Sequence, residues 1–315
     1  MSLAFLSIIS GVALIWISAE KLEKYSVLAA KRFGMSPFFI GSTVIAFGTS
    51  SPEMLTTFFV SLENQGTMVI GNVIGSNVAN LSLVFGSMLF VVSIKKQKIA
   101  QPKSINKNLL ILIASSLLVW AVIAIDPFSI ITSIALLTAL LTVIYFWYRN
   151  NEDTADTGDR GNSENSFIKL VLSLVALVFA AWLITTGANL VLDNYNLGQL
   201  FIGYTVLAIG TSLPEIAASI SLALKSRYEA VAGTLIGSNI FNGLCVLAIP
   251  GLFRSTEMAT AWRYSEWSIL LAILFGITLI FSAYIFILSK KGKRANLLLS
   301  ILFLSIYFIS LFYAF

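Results

Sequence analysis

Apolar residues fill this chain in long unbroken runs rather than in alternating or one-faced stripes. Read against the roughly 20 residues that cross a bilayer core, the runs predict ten membrane-spanning helices. They fall at 2–32, 37–62, 68–92, 107–125, 127–148, 167–194, 199–224, 228–253, 265–289 and 295–314. A segment in hydrocarbon must satisfy its own backbone, so the expected class is an all-α polytopic membrane protein. The sustained polar stretch at 150–166 reads as a flexible linker. It divides the chain into two five-helix parts, 1–149 and 167–315.

Basic residues orient these segments. Sixteen lysines and arginines lie in or beside the loops after segments 1, 3, 5, 7 and 9, whereas the opposite side has only Arg254 and Arg263. The positive-inside rule then puts the linker in the cytoplasm and both termini outside. Glu63, Asp126, Asp193, Glu257 and Glu266 lie on the outer side as scattered solvated acids with a mild attraction for cations. No lysine or arginine precedes Lys21, so the first run lacks the basic flank of a secretory signal and is read as a membrane helix.

Composition agrees with this picture: 57% of the 315 residues are hydrophobic, 11% are charged, and the mean hydropathy is +0.89. The one cysteine, Cys245, and the absence of histidine exclude an internal disulfide and argue against zinc, haem or iron–sulfur chemistry. The net charge of +5 sits in short loops and does not describe a nucleic-acid surface. No resident cofactor and no obligatory protein partner is expected, only the lipid bilayer and transported ions.

The two halves repeat. Shifted by 162 residues, Gly41–Asn80 superposes on Gly203–Asn242 without a gap, and 17 of the 40 positions are identical. With five spans in each half, the second must insert upside down, which predicts inverted repeats about a pseudo-two-fold axis in the membrane plane.

Each repeat carries two motifs. The first is G-x-T-x-x-A-x-G-T-S-x-P-E, ending at Pro52-Glu53 and again at Pro214-Glu215. Pro52 cannot bond the carbonyl of Gly48, so the helix is expected to break and to free backbone oxygens near Ala46–Thr49. Thr49 and Glu53 are four apart, which puts a hydroxyl and a carboxylate on one helix face. The second motif is G-x-x-x-G-S-N-x-x-N, at Gly71, Gly75, Ser76, Asn77, Asn80 and at Gly233, Gly237, Ser238, Asn239, Asn242. Its glycines suit close helix packing. Ser76 with Asn80, and Ser238 with Asn242, present neutral oxygens at the same spacing, either as interhelical glue or as ligands. Helices 2, 3, 7 and 8 are therefore expected to be broken around a site.

A charge in the bilayer costs several kcal/mol or more, and segments 2, 3, 7 and 8 hold no lysine or arginine away from their ends. Glu53 and Glu215 should then bind protons or cations. Carboxylate, hydroxyl and carbonyl oxygens suit hard cations such as Ca²⁺ or Na⁺.

Gly48-Thr49-Ser50-Ser51-Pro52-Glu53 with Gly75-Ser76-Asn77-Val78-Ala79-Asn80, and their copies from 210 and 237, resemble the two alpha repeats of the sodium/calcium exchanger family, in its compact prokaryotic form. The resemblance spans the ten-segment layout. It implies a secondary active antiporter that exchanges Na⁺ for Ca²⁺ by alternating access, with electrogenic Ca²⁺ extrusion from the cell. It further implies a metal site of Glu53 and Glu215 for both ions, with Thr49, Ser50, Thr211, Ser212, Ser76, Ser238 and the carbonyls of Ala46 and Ala208. Asn80 and Asn242 would be central, and segments 1 and 6 would slide as a pair. The transported ions are substrates, and the protein is not an enzyme.

Three positions depart from the family pattern. Asn242 stands where the potassium-dependent branch has aspartate, which argues against K⁺ co-transport. Thr234 stands opposite Asn72. The stretch from Gly187 to Gly203 is seven residues shorter than its counterpart from Ser18 to Gly41, so segment 6 is expected to end sooner. The rival reading is an H⁺-coupled exchanger of Ca²⁺ or another divalent cation, because protons can also neutralise the two glutamates.

Overall fold

The computed structural model describes residues 2–31, 36–95, 105–150, 166–195, 198–253, 267–288 and 293–314. Most of the expected linker, 151–165, lies outside them, as do Glu257 and Glu266. The described residues form helices throughout: α1 (Ser2–Lys31), α2 (37–62), α3 (Gly66–Ile94), α4 (Ile105–Ile125), α5 (Ile130–Arg149), α6 (Ser166–Tyr195), α7 (Gln199–Leu224), α8 (Tyr228–Leu252), α9 (268–288) and α10 (Lys293–Ala314). Seven of these are long and apolar enough to cross a membrane: α3, α4, α5, α7, α8, α9 and α10. Among the described residues, α1 and α6 contribute shorter apolar stretches, Leu3–Ser18 and Val178–Val191.

The 162-residue offset governs where elements stop and start. α2 ends at Leu62 and α7 at Leu224, each followed by a non-glycine residue in the left-handed region, Asn64 (φ 60°) and Ser226 (φ 58°). In both ends the next N–H reaches five residues back: Gln65 N to Val60 O and Arg227 N to Leu222 O, at 3.2 and 3.0 Å. This Schellman closure satisfies carbonyls that would otherwise be orphaned at the helix end.

The helices cross where side chains are absent. A Cβ on Gly41 would lie 2.5 Å from the Ala230 carbonyl, and one on Gly203 would collide with that of Met68, its counterpart. Likewise Gly71 and Gly75 of α3 lie against Leu200–Ala208 of α7, while Gly233 and Gly237 of α8 lie against Phe38–Ala46 of α2. Each of these glycine contacts of one half on the other is returned at the equivalent position. At α4 and α9 an equivalent pair meets directly, Ser116 Oγ to Thr278 Oγ1 at 3.3 Å.

Outside this core, α1 and α6 pack along each other. Gly11 faces Ala180 and Ile184, and Gly187 faces Ala4 and Ile8, so the two helices are antiparallel. Lys169 of α6 sits 5.8 Å from the Tyr25 ring of α1, and both helices have 30 residues. Past the matched positions α6 does end sooner, at Tyr195 after Gly187 against Lys31 after Ser18, as expected, and apolar sequence upstream of Val178 restores its length at the other end.

Candidate functional site

The four motif helices do open, but not where proline alone would open them. In each, one N–H bonds five residues back instead of four: Ala46 to Gly41, Phe85 to Asn80, Ala208 to Gly203 and Leu247 to Asn242. These π turns lie at 40–45, 80–84, 203–207 and 242–246, all related by the same offset. A π turn widens the helix and aims side chains and carbonyls off the regular α register, and such turns recur at functional sites. Pro52 itself lies inside the uninterrupted α-helical stretch Ala46–Leu62. Pro214 instead follows a turn at Ser212 and starts the stretch Leu213–Leu224, where its missing N–H costs little. The expected break at the proline thus occurs in the second repeat and not in the first, whereas the π turn upstream is common to both.

All twelve expected site residues are buried. Glu53, Thr49, Ser50 and Ala46 come from α2, Ser76 and Asn80 from α3, Glu215, Thr211, Ser212 and Ala208 from α7, and Ser238 and Asn242 from α8. Glu53 and Glu215 are the charged side chains among the buried polar residues, at 1% and 0% exposure. Thr211 faces the Glu53 carboxylate from the other half. Its hydroxyl donates to Leu207 O at 2.9 Å, however, and neither Glu53 oxygen receives a hydrogen bond among the described residues. Thr49 Oγ1 meets Ser238 Oγ at 3.3 Å, a second direct contact between the repeats.

Ser50 Oγ, Ser212 Oγ and both amide atoms of Asn80 and Asn242 are also buried without a hydrogen-bond partner among the described residues. An orphaned buried polar atom costs on the order of 1–3 kcal/mol. Orphaned oxygens of this kind on all four motif helices are available to a desolvated cation. Among the described residues no cluster of three or more histidine, cysteine, aspartate and glutamate side chains occurs. The ligand chemistry is that of hydroxyl, amide and carboxylate oxygen, which suits hard ions. Of the two carbonyls expected to contribute, that of Ala46 accepts from Thr49 Oγ1 at 3.4 Å and that of Ala208 from Ser212 N at 3.1 Å.

Two residues join the site that the motifs did not single out as ligands. Asn72 Nδ2 donates to Thr57 Oγ1 at 3.2 Å, and Ser76 Oγ donates to Asn72 Oδ1 at 3.4 Å. Thr57 stands four residues after Glu53, one turn along the same helix face, and that spacing was the available signal.

Of the outer acids, Glu63 is exposed, as expected, and Asp126 half-buried, and both also accept hydrogen bonds. Asp126 accepts from Phe128 N at 2.9 Å and forms the turn between α4 and α5. Glu63 accepts from the side-chain amides of Asn189 on α6 and of Gln65.

Comparison with known proteins bears on this arrangement. Residues 3–149 and 165–315 match the family model described as sodium/calcium exchanger protein. An uncharacterized membrane protein of Methanocaldococcus jannaschii, MJ0091, is 30% identical over 309 residues, covering 96% of this chain and 94% of its own. The sodium/calcium exchanger MaX1 of Methanosarcina acetivorans is 25% identical over 85% of this chain and 88% of its own. Among solved structures, the sodium-calcium exchanger NCX_Mj soaked with Na⁺ and zero Ca²⁺ superposes with a TM-score of 0.71 at 28% identity, covering 98% of this chain and 97% of that one.

Proposed function

Because the chain belongs to the sodium/calcium exchanger protein family, whose members are membrane exchangers and not enzymes, we propose that it is a secondary active antiporter exchanging Na⁺ for Ca²⁺ by alternating access. One observation supports this reading above the others: two glutamates at positions related by 162 residues are buried, and hydroxyls of the two repeats, Thr49 and Ser238, meet directly. On this reading Glu53 and Glu215 are shared by both ions. Thr49, Thr211, Ser50, Ser212, Ser76, Ser238, Asn80, Asn242 and the carbonyls of Ala46 and Ala208 complete the shells.

The ten helices are read as two inverted five-helix repeats, residues 1–149 and 167–315, joined by a cytoplasmic linker at 150–166, with both termini outside. The reciprocal glycine crossings and the antiparallel packing of α1 on α6 support the inversion. The gap in the family match at 150–164 supports the linker.

Coupling follows from charge. One Ca²⁺ or several Na⁺ can neutralise the two carboxylates, but not both sets at once. A bare site is too costly to move past the apolar surfaces of α1 and α6, whereas a filled one is nearly neutral. Exchange rather than leak results from that requirement for occupancy. With more than two Na⁺ per Ca²⁺, the cycle carries net charge and drives Ca²⁺ out of the cell.

The test is uptake of radioactive Ca²⁺ into proteoliposomes under a Na⁺ gradient and, separately, under an H⁺ gradient. Uptake that requires the Na⁺ gradient is expected. Uptake that follows the H⁺ gradient and ignores Na⁺ would replace this reading with proton-coupled exchange.

A further inference from the structure

The two repeats treat their equivalent serines differently. Ser76 donates its proton to Asn72 Oδ1, and Asn72 is held from behind by Thr57. With its hydrogen turned away, Ser76 presents oxygen lone pairs to the interior, the orientation a cation requires. Ser238 has no such anchor. The position equivalent to Asn72 is Thr234, and that equivalent to Thr57 is Ser219. Both are fully buried, and both hydroxyl oxygens lack a hydrogen-bond partner among the described residues. Ser238 instead meets Thr49, and Thr49 in turn donates to Ile45 O at 3.1 Å. Whichever hydroxyl donates, Ser238 is paired with another oxygen of the site and not anchored from behind.

We infer that Asn72 is a positioning residue, which presets Ser76 as a cation ligand through the Thr57–Asn72–Ser76 chain, and that Thr234 leaves the equivalent side of the site to be organised by the arriving ion. The Asn72 side chain does not itself touch the ion. This rests on the antiport reading of the same site. Its consequence is that the two sides of one site have different intrinsic affinities, although their backbones follow one offset. Thr234 is the residue that makes the difference.

Three substitutions test this. Thr57→Val is isosteric and removes the acceptor behind Asn72. Asn72→Thr copies the second repeat into the first, and Thr234→Asn does the reverse. Each is measured for Ca²⁺ and Na⁺ half-saturation and maximum rate in proteoliposomes, and for Ca²⁺ binding by calorimetric titration of the detergent-purified full chain. Thr57→Val and Asn72→Thr are expected to weaken Ca²⁺ binding about fivefold, the factor that one ordinary hydrogen bond confers, with a smaller change in maximum rate. Thr234→Asn is expected to tighten it.

Wild-type half-saturation in both Thr57→Val and Asn72→Thr, in protein that elutes as a single species, overturns the inference. A loss of maximum rate with half-saturation unchanged also overturns it, because packing damage alone gives that result. A wild-type protein that binds Ca²⁺ but exchanges it under neither gradient overturns the antiport reading, and the binding titrations then decide the role of Asn72 independently.

Discussion

The first repeat and the second differ less in their backbones than in the atoms they turn toward each other. Helix ends, left-handed caps, π turns and glycine crossings recur at one offset. The polar contacts do not. Thr49 meets Ser238, yet Ser76, the counterpart of Ser238, bonds Asn72 instead of Thr211. Pro52 is carried inside a helix, whereas Pro214 follows a turn. On the proposed reading of inverted repeats that alternate access, a regular frame lets the two halves exchange conformations around a site whose polar contacts differ. The frame is set by glycines, which tolerate no alternative, and the site by hydroxyls that can rotate.

The largest effect should come from the carboxylates. Glu53→Gln and Glu215→Gln are each expected to lower Na⁺-driven Ca²⁺ uptake roughly 100-fold, since losing one charge from a buried ionic site costs about 3 kcal/mol or more. Full activity in both variants would end the comparison, because neither half would then hold the ion.

The prolines should separate the halves next. A proline in a helix interior costs up to about 3 kcal/mol, but in a first turn almost nothing. Pro52→Ala should therefore raise the Tm in detergent clearly more than Pro214→Ala does. Equal shifts would mean that the continuous helix through Pro52 and the turn at Ser212 are energetically the same.

The glycine crossings should restore equality. Gly41→Ala and Gly203→Ala both force a methyl into a backbone carbonyl, and each is expected to cost about 2 kcal/mol by overpacking. Matching falls in Tm would sharpen the symmetry of the frame, and unequal ones would break it.

The smallest effect is expected at Ser116 and Thr278, where one interhelical hydrogen bond joins equivalent positions. Ser116→Ala and Thr278→Val should each lower stability by about 0.6 kcal/mol. Their effects should be non-additive in a double-mutant cycle, because both remove the same contact.

Much of this was legible in the sequence for a physical reason. Long apolar runs in a bilayer admit only helices, so the described helices lie within a few residues of the expected segments, and seven of them are long and apolar enough to cross a membrane. The constraint on Gly41 and Gly203 is equally local: a position that cannot accept a side chain must remain glycine, and its recurrence at a fixed offset revealed the repeat. Site composition was readable too, since Glu53 and Glu215 have no business in hydrocarbon without a purpose.

What the tertiary structure alone decided is where each helix opens and which oxygens face which. That the helix runs unbroken through Pro52 but turns before Pro214 is not written in the two near-identical motifs. The linking of Thr57, Asn72 and Ser76 depends on two helices brought side by side, and the length of α6 on apolar sequence far from the motif. Hydrogen bonds of about 1 kcal/mol choose among such arrangements only after packing has fixed the distances. No one-dimensional pattern carries those distances.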